Sequence, residues 1–466
     1  MNDTIFREYD IRGKVGEEFC IENVYNLSRA IAAYLVEKSS NVQTIVVGMD
    51  VRTHSAQIAQ EVCRGLLDSG LDVVFVGVCT SPMLYFALQT LAVDAGLMVT
   101  ASHNPKEYNG IKICLGTECL WGTDIQEMKK RYKAGAHIKA FTAGVITNHS
   151  LNESYVNWLQ GQFSHLIGCP ISMVIDCGNG SASVVIHDIV YAMQWPRVWL
   201  LYDQPDGTFP HHEADPIVDA NMQDVRSALV AHNAQIGIGF DGDADRMGAM
   251  TASGQLVPGD QLLAVFAKQM SVTNPHLAVV FDVNASSGLT ELLELYGMRP
   301  IVSPCGHSIV QAQMIAHNAL LGGELSCHFF FNDRGFGFDD GIYAFFRLLE
   351  ILHTTQKSLD ELLADFPSKV SSPQYRLACK EEEKSQLVKT IQDYFKKHED
   401  VELLTIDGIR VTKPYGWGLI RASNTQPAIC FRFESDTQEG LNHIKRDFAM
   451  ALADVYSSNL YTIFGI

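Results

Sequence analysis

Ile236-Gly237-Ile238-Gly239-Phe240-Asp241 is an apolar run that ends on a carboxylate, and the pattern recurs along the chain. Thr44-Ile45-Val46-Val47-Gly48-Met49-Asp50, Met173-Val174-Ile175-Asp176 and Val279-Val280-Phe281-Asp282 have the same shape. Continuous apolar runs rich in β-branched residues predict strands buried on both faces. Helical segments separate them. Ile58, Val62 and Leu66 share one helix face, with Ser55 as its expected N-cap and Gly70 as its end. Strands alternating with helices predict parallel or mixed sheets covered by helices. Ligands gather beyond the carboxyl ends of such strands, where the acidic turns stand. The repetition predicts tandem α/β units. Boundaries are expected near His149-Ser150, Ser253-Gly254 and Pro367 to Ser372, dividing the chain into residues 1–150, 151–253, 254–368 and 369–466. The last segment differs. A helix with Leu387, Ile391 and Phe395 precedes strand-like Val401-Glu402-Leu403-Leu404, and a long closing helix carries Leu441, Ile444, Phe448, Leu452 and Val455 on one face. It reads as a smaller α+β domain.

The 466 residues suffice for about 3 domains, and 47% hydrophobic content lets each bury a core. Thirty-five basic against 53 acidic residues give a net charge of −18, which argues against a nucleic-acid binder because phosphate backbones need a basic face. The 11 cysteines are scattered without a C-x-x-C pair, which argues against zinc and thioredoxin-like chemistry and fits a reducing cytosol. Met1-Asn2-Asp3-Thr4 opens no basic-then-apolar leader, and no apolar run is long enough for a membrane. A cytoplasmic protein is expected.

Ser102 lies in Thr100-Ala101-Ser102-His103-Asn104-Pro105, after the strand-like Gly96-Leu97-Met98-Val99. Asn104-Pro105 forces a turn, so the hydroxyl is presented at a strand end beside an imidazole, where it can carry a phosphoryl group. In Asp241-Gly242-Asp243-Ala244-Asp245-Arg246 three carboxylates alternate. They repel one another unless a cation relieves the cost, and hard oxygen donors suit Mg²⁺ or Ca²⁺. A calcium EF-hand is excluded, since its loop needs Gly at Arg246 and Glu at Ala252. Arg246 can grip a phosphate through its planar fork.

Glu324, Ser326 and His328 alternate, so an extended loop would point them one way, toward sugar hydroxyls; an ordinary turn with a satisfied histidine fits this segment equally well. Arg421-Ala422-Ser423-Asn424-Thr425 offers a phosphate cradle or a capped turn. Tyr9 and Arg12, His307 and Lys112 are uninformative in isolation.

Together these segments resemble the α-D-phosphohexomutase superfamily, most closely its phosphomannomutase/phosphoglucomutase branch. The matching pieces are residues 6–13, 100–105 with 109–112, 241–246, 323–328 and 421–427, in family order over nearly the whole chain. Asp333-Arg334, residues 337–341 and Gly416-Trp417-Gly418 also match. The resemblance implies three tandem α/β domains with mixed sheets and a smaller C-terminal α+β domain around a central cleft. It implies a phosphorylated Ser102, with Mg²⁺ held by that residue, Asp241, Asp243 and Asp245. Phosphoryl transfer between Ser102 and a hexose phosphate would pass through a hexose 1,6-bisphosphate that reorients in place. Lys112 would be the base, helped by His103, Arg12 and His307. A lysine of ordinary pKa, about 10.4, is a poor base at neutral pH, so burial beside Mg²⁺ and arginine is expected to lower it. Tyr9, Arg246, Glu324, Ser326 and His328 would bind substrate, and Arg421, Ser423, Asn424 and Thr425 the distal phosphate. His328 favours mannose and glucose phosphates over glucose alone. Asn284 and Gln311 stand where the branch usually has lysines, which bears on substrate choice. The loop from Asp203 to Pro216 looks family-like without an assigned role. The expected assembly is a monomer or weak homodimer with a small phosphosugar as partner and neither nucleic acid nor membrane. A phosphoglucosamine mutase and a non-catalytic phosphosugar binder are the alternatives. Leu325-Ser326-Cys327 argues against the first, and the intact serine with three aspartates against the second.

Overall fold

The computed structural model describes residues 1–422, 428–453 and 460–466; of residues 381 and 382 it describes the backbone alone. One strand order recurs three times. In the first unit Thr44–Met49 is central, Asp72–Val78 and Ala95–Val99 flank it in parallel, and Tyr108–Leu115 closes antiparallel to Ala95–Val99. Met173–Asp176, Val198–Leu201, Ile236–Phe240 and Met247–Thr251 repeat the order. So do Ala278–Asp282, Arg299–Ser303, Leu321–Gly323 and Phe329–Phe331. Helices fill the crossovers, for example Ser55–Asp68 and Ser81–Thr90 in the first unit and Ser287–Leu295 and His307–His317 in the third. These are the mixed, helix-covered sheets that the apolar runs predict. Every residue of Ile236–Phe240 and Ala278–Asp282 is buried, as a strand covered on both faces must be.

One local expectation is corrected. His54, not Ser55, occupies the N-cap of Ser55–Asp68. The Ser55 hydroxyl instead donates to Asp50 Oδ1 and accepts from Asn109 Nδ2 at 2.9 Å, so the acidic strand end takes the group that would have capped the helix. The second sheet closes with Leu256–Val257, which pairs with Met247–Thr251.

The fourth sheet is antiparallel throughout, with Ala428–Ser435 between Gly416–Ala422 and the short strands Val370–Ser371 and Tyr375–Ala378. Leu387, Ile391 and Phe395 of Glu381–Phe395 pack with Leu441, Ile444 and Phe448 of Gln438–Ala451 over Phe431 and Phe433. The closing helix is shorter than its apolar stripe suggests, with Leu452 as its C-cap; Val455 lies outside the described residues.

One apolar core runs through all three repeated units, from Leu84 and Met98 through Ile175 and Phe240 to Phe281, Phe329 and Phe345. Each fully buried side chain of this kind contributes about 1.5–3 kcal/mol, so a shared core fixes the units against one another. Trp417 and Leu419 of the fourth domain meet Val283 and Cys305 of the third unit. Among the described residues no helix is long and apolar enough to cross a membrane.

Candidate active site

The hairpins joining the third and fourth strands of the repeated units converge on one cavity. In the first, Ser102 takes a φ of 51°, and its amide donates to Thr100 Oγ1 at 2.9 Å. Two buried arginines hold the loop from behind. Arg52 donates to the carbonyls of Ser102, Asn104, Pro105 and Tyr108 at 2.5–3.1 Å. Arg12 donates to Ala101 O at 3.1 Å and Asn104 Oδ1 at 2.8 Å, while Asp10 Oδ2 orients it. Ser102 Oγ donates to Asp241 Oδ2 at 2.7 Å and lies 3.2 Å from His103 Nδ1. Burial, then Arg246 and Arg12, push His103 well below the ordinary imidazole range. A Cβ on Gly242 would stand 2.4 Å from Ser102 O, so glycine permits this loop contact.

Asp241, Asp243 and Asp245 of the second hairpin are fully buried, and one oxygen from each lies within 4.8 Å of the others. Asp243 Oδ1 and Asp245 Oδ1 have no hydrogen-bond partner. Burial and the two neighbouring carboxylates push Asp241 well above the ordinary carboxylate range. Open, mutually repelling oxygens in a dry site fit a hard divalent cation. Lys112 Nζ lies 2.7 Å from Asp243 Oδ2 and 2.5 Å from Asp245 Oδ2. The lowering of Lys112 was expected beside a bound Mg²⁺; without a cation the carboxylates act on the lysine alone. Burial does act downward, but Asp243, Asp245 and Asp339 together hold the lysine above its ordinary value.

The third hairpin is a tight turn, not the extended loop expected from alternation. Glu324 N donates to His328 O at 3.0 Å and Cys327 N to Glu324 O at 2.9 Å, with Cys327 at a φ of 67°. Glu324, Ser326 and His328 still line one cavity. Glu324 Oε1 accepts from Gly306 N at 2.7 Å, and burial raises its carboxyl. Arg246 Nε donates to His328 Nε2 at 2.9 Å. A guanidinium only donates, so the His328 proton sits on Nδ1, 2.8 Å from Asp339 Oδ2. That protonated nitrogen removes His328 as a cation ligand beside Asp245 and Asp339, although the three groups cluster. His307 Nδ1 lies 3.4 Å from Asp339 Oδ2. Burial opposes its charge, but Asp339 pushes it up to about 9. The Tyr9 hydroxyl donates to Cys305 O. A Cβ on Gly306 would lie 2.3 Å from the Tyr9 ring, and its φ of 131° also demands glycine.

The cavity encloses about 230 Å³ and takes walls from all four domains. From the fourth come Arg376 and Arg421, the latter bonded to Asp407 Oδ2 at 2.9 Å. Ser423, Asn424 and Thr425 lie outside the described residues. Asn284 lines the cavity, its amide turned to Asp282 Oδ2 at 2.6 Å, whereas Gln311 turns toward Gly337 O at 3.5 Å. Asp215, from the loop without an assigned role, reaches the cavity edge. Sequence reasoning missed Asp10, Arg52, Asp339, Arg376 and Asp407. Asp10 and Asp339 had a signal, standing in the family-like stretches 6–13 and 337–341.

Comparison with known proteins matches four family models in order. Those described as phosphoglucomutase/phosphomannomutase, alpha/beta/alpha domains I, II and III, match residues 3–138, 153–254 and 258–370. The phosphoglucomutase/phosphomannomutase C-terminal domain matches 376–451. A phosphomannomutase/phosphoglucomutase of Pseudomonas aeruginosa is 38% identical over 455 residues, covering 98% of this chain and 96% of its own length. A phosphoglucomutase of Neisseria gonorrhoeae is 38% identical over 447 residues, covering 95% of each. The crystal structure of a phosphoglucomutase/phosphomannomutase family protein from Burkholderia thailandensis matches with a TM-score of 0.89 at 34% identity, covering 97% of this chain and 98% of that one.

Proposed function

This chain belongs to the phosphoglucomutase/phosphomannomutase family, and from that premise we propose that it interconverts hexose 1-phosphates and hexose 6-phosphates, of mannose and of glucose, with Ser102 as phosphoryl carrier. The observation that carries this reading is the Ser102 hydroxyl, 2.7 Å from Asp241 at the mouth of a buried carboxylate trio and facing a four-walled cavity. Asp241, Asp243 and Asp245 would hold Mg²⁺, together with an oxygen at Ser102. That ion supplies charge neutralisation at the phosphoryl group.

The chain's own residues supply alignment. Arg52 and Arg12 fix the carrier loop through backbone carbonyls, and Arg246 and Lys112 add positive charge beside it. When the phosphoryl group returns to Ser102, the serine proton must leave; Asp241 Oδ2 and His103 Nδ1 are the acceptors within reach. Lys112, Arg12 and His307 line the wall where the sugar hydroxyl exchanges its proton. Glu324, Ser326 and His328 read the sugar hydroxyls, with Tyr9 closing that wall. Arg421, with Ser423, Asn424 and Thr425, takes the distal phosphate. A hexose 1,6-bisphosphate forms and turns over inside the cavity, and domain contacts around it exclude water.

Purified protein given Mg²⁺, a trace of hexose bisphosphate and either mannose 1-phosphate or glucose 1-phosphate should produce the 6-phosphate, with one phosphate on Ser102 by mass spectrometry. Turnover of glucosamine 1-phosphate alone would reassign the substrate. Binding without turnover would reduce the chain to a phosphosugar binder.

A further inference from the structure

Lys112 shares its strand face with a side chain that the phosphoryl chemistry leaves unused. Cys114 follows it by two positions and so points the same way from Tyr108–Leu115. Its register partner is Cys119, and the two sulfurs lie 3.1 Å apart. A two-residue turn, Gly116-Thr117, joins the paired residues Leu115 and Glu118, with Gly116 at a φ of 57°. On the far side Leu120 N donates to Ile113 O at 2.8 Å. Ladder alternation therefore puts the cysteines at the narrow, non-hydrogen-bonded position, where opposite Cα atoms are about 4.5 Å apart. A disulfide spans roughly 4.4–6.8 Å between Cα atoms, so the backbone already suits one. Both thiols are free, Cys114 buried and Cys119 partly exposed. The strand Glu118–Cys119 packs against His307–His317, the helix that begins with a cavity residue.

The thiols are also unequal. The hydrogen bond shared with Cys114 lowers Cys119, burial opposes it, and His307 adds to the lowering. The same hydrogen bond and burial raise Cys114. Cys119, the lowered thiol, is the attacking sulfur, and Cys114, 3.1 Å away, stands ready to resolve its oxidised form.

We propose that Cys114 and Cys119 are a hydroperoxide-sensitive dithiol that shuts down the adjoining mutase site by closing a disulfide, an inference that rests on the proposed roles of Lys112 and His307. The Cys119 thiolate attacks a peroxide oxygen; an S–O bond forms, the O–O bond breaks, and the other oxygen leaves as water or alcohol after taking up a proton. Cys114 then attacks the sulfenic sulfur; the S–S bond forms, and the hydroxyl leaves as water with the Cys114 proton. Two thiols and one hydroperoxide thus give one disulfide, water, and water or alcohol. An S–S bond is about 2.0 Å long, so the sulfurs close by about 1 Å. With the backbone already at disulfide spacing, the two side chains take up that movement, on the strand face that Lys112 shares and against the helix that begins at His307. Displacements of ~1 Å near a reacting centre cost up to about 10²-fold in rate.

The test treats reduced protein with hydrogen peroxide, blocks the remaining thiols, and maps disulfide-linked peptides by mass while assaying turnover. A 114–119 link as the main product, with kcat lower by ~10- to 100-fold and recovered with dithiothreitol, is expected. Cys119→Ser should keep its basal rate and lose the peroxide response; Cys114→Ala should do the same if the first variant fails to fold. Oxidation confined to Cys20 and Cys379, also partly exposed, would overturn the pairing. A 114–119 link with unchanged kcat would overturn the switch. Reduced protein without mutase activity would instead refute the function proposed above, while the mass of the linked peptide still decides the thiol chemistry.

Discussion

The opening strands of the three repeated units lead into Asp50 or end on Asp176 and Asp282, and the closing hairpins of the same units carry Ser102, the aspartate trio, and Glu324 to His328. Both sets sit at carboxyl ends of strands, and both look acidic in sequence. Their oxygens separate them. Asp50 accepts from Arg52 N, Arg52 Nε, Thr100 Oγ1 and Ser55 Oγ. Asp176 accepts from Gly178 N and faces His212 Nε2 at 3.0 Å. Asp282 reaches the cavity wall, but Leu325 N and Asn284 Nδ2 take its two oxygens. In the second hairpin, Asp243 and Asp245 each keep one buried oxygen without a partner. Filled acceptors make Asp50, Asp176 and Asp282 braces, whereas the open, dry oxygens of Asp243 and Asp245 fit the metal site proposed above.

The largest expected effect falls on the first hairpin. Ser102→Ala should lower turnover by roughly 10³-fold or more, the scale seen when a covalent carrier is removed, and leave the unfolding midpoint in urea unchanged. Wild-type turnover in that variant would end the carrier role. Next, Asp243→Ala should reduce turnover by about 10²-fold and move the Mg²⁺ titration to higher concentration. A titration identical to wild type would turn Asp243 from ligand into brace and break the comparison at its centre.

A brace should behave in the opposite way. Asp50→Asn leaves Arg52 buried with its charge uncompensated; both side chains are 1% exposed. The expected cost is about 3 kcal/mol of stability, with a fall in turnover of only ~10-fold and an unchanged Mg²⁺ requirement. Urea unfolding and a metal titration on one preparation give both readings, and a shifted metal requirement with intact stability would place Asp50 among the ligands.

Much of this division was legible before the coordinates. The apolar runs mark the strands because burial on both faces leaves no polar alternation, and the trio at 241–245 declares itself through repulsion. The common strand order was only faintly readable, since it lives in crossover direction and hardly at all in residue identity. Arg52 gave no signal because its partners are backbone carbonyls about 50 residues further along the chain. The partners of Lys112 were hidden for a related reason: they come from other units, so the sequence cannot say which carboxylates fold beside it. At Glu324 to His328 the periodicity argument failed because the flanking strands have only 3 residues each, and the chain must reverse at once.

The smallest expected effect tests a carboxylate of a third kind, Asp339, which neither ends an opening strand nor sits in a hairpin. It faces His307 and His328, and Lys112 and Cys119 also act on His307. Asp339 raises His307 to about 9 against the opposing effect of burial, whereas an unfolded histidine titrates near 6.5. The folded state therefore binds the proton more tightly. That stabilisation is complete below about pH 6.5 and is lost as pH rises through about 9, amounting to roughly 1–3 kcal/mol. The urea midpoint should fall across this window in the wild type and fall less in His307→Gln. The His307 ring proton followed by NMR supplies the direct reading: a midpoint near 9 that drops in Asp339→Asn makes Asp339 a brace that works through charge, and a midpoint unmoved by that substitution would assign the shift to another neighbour.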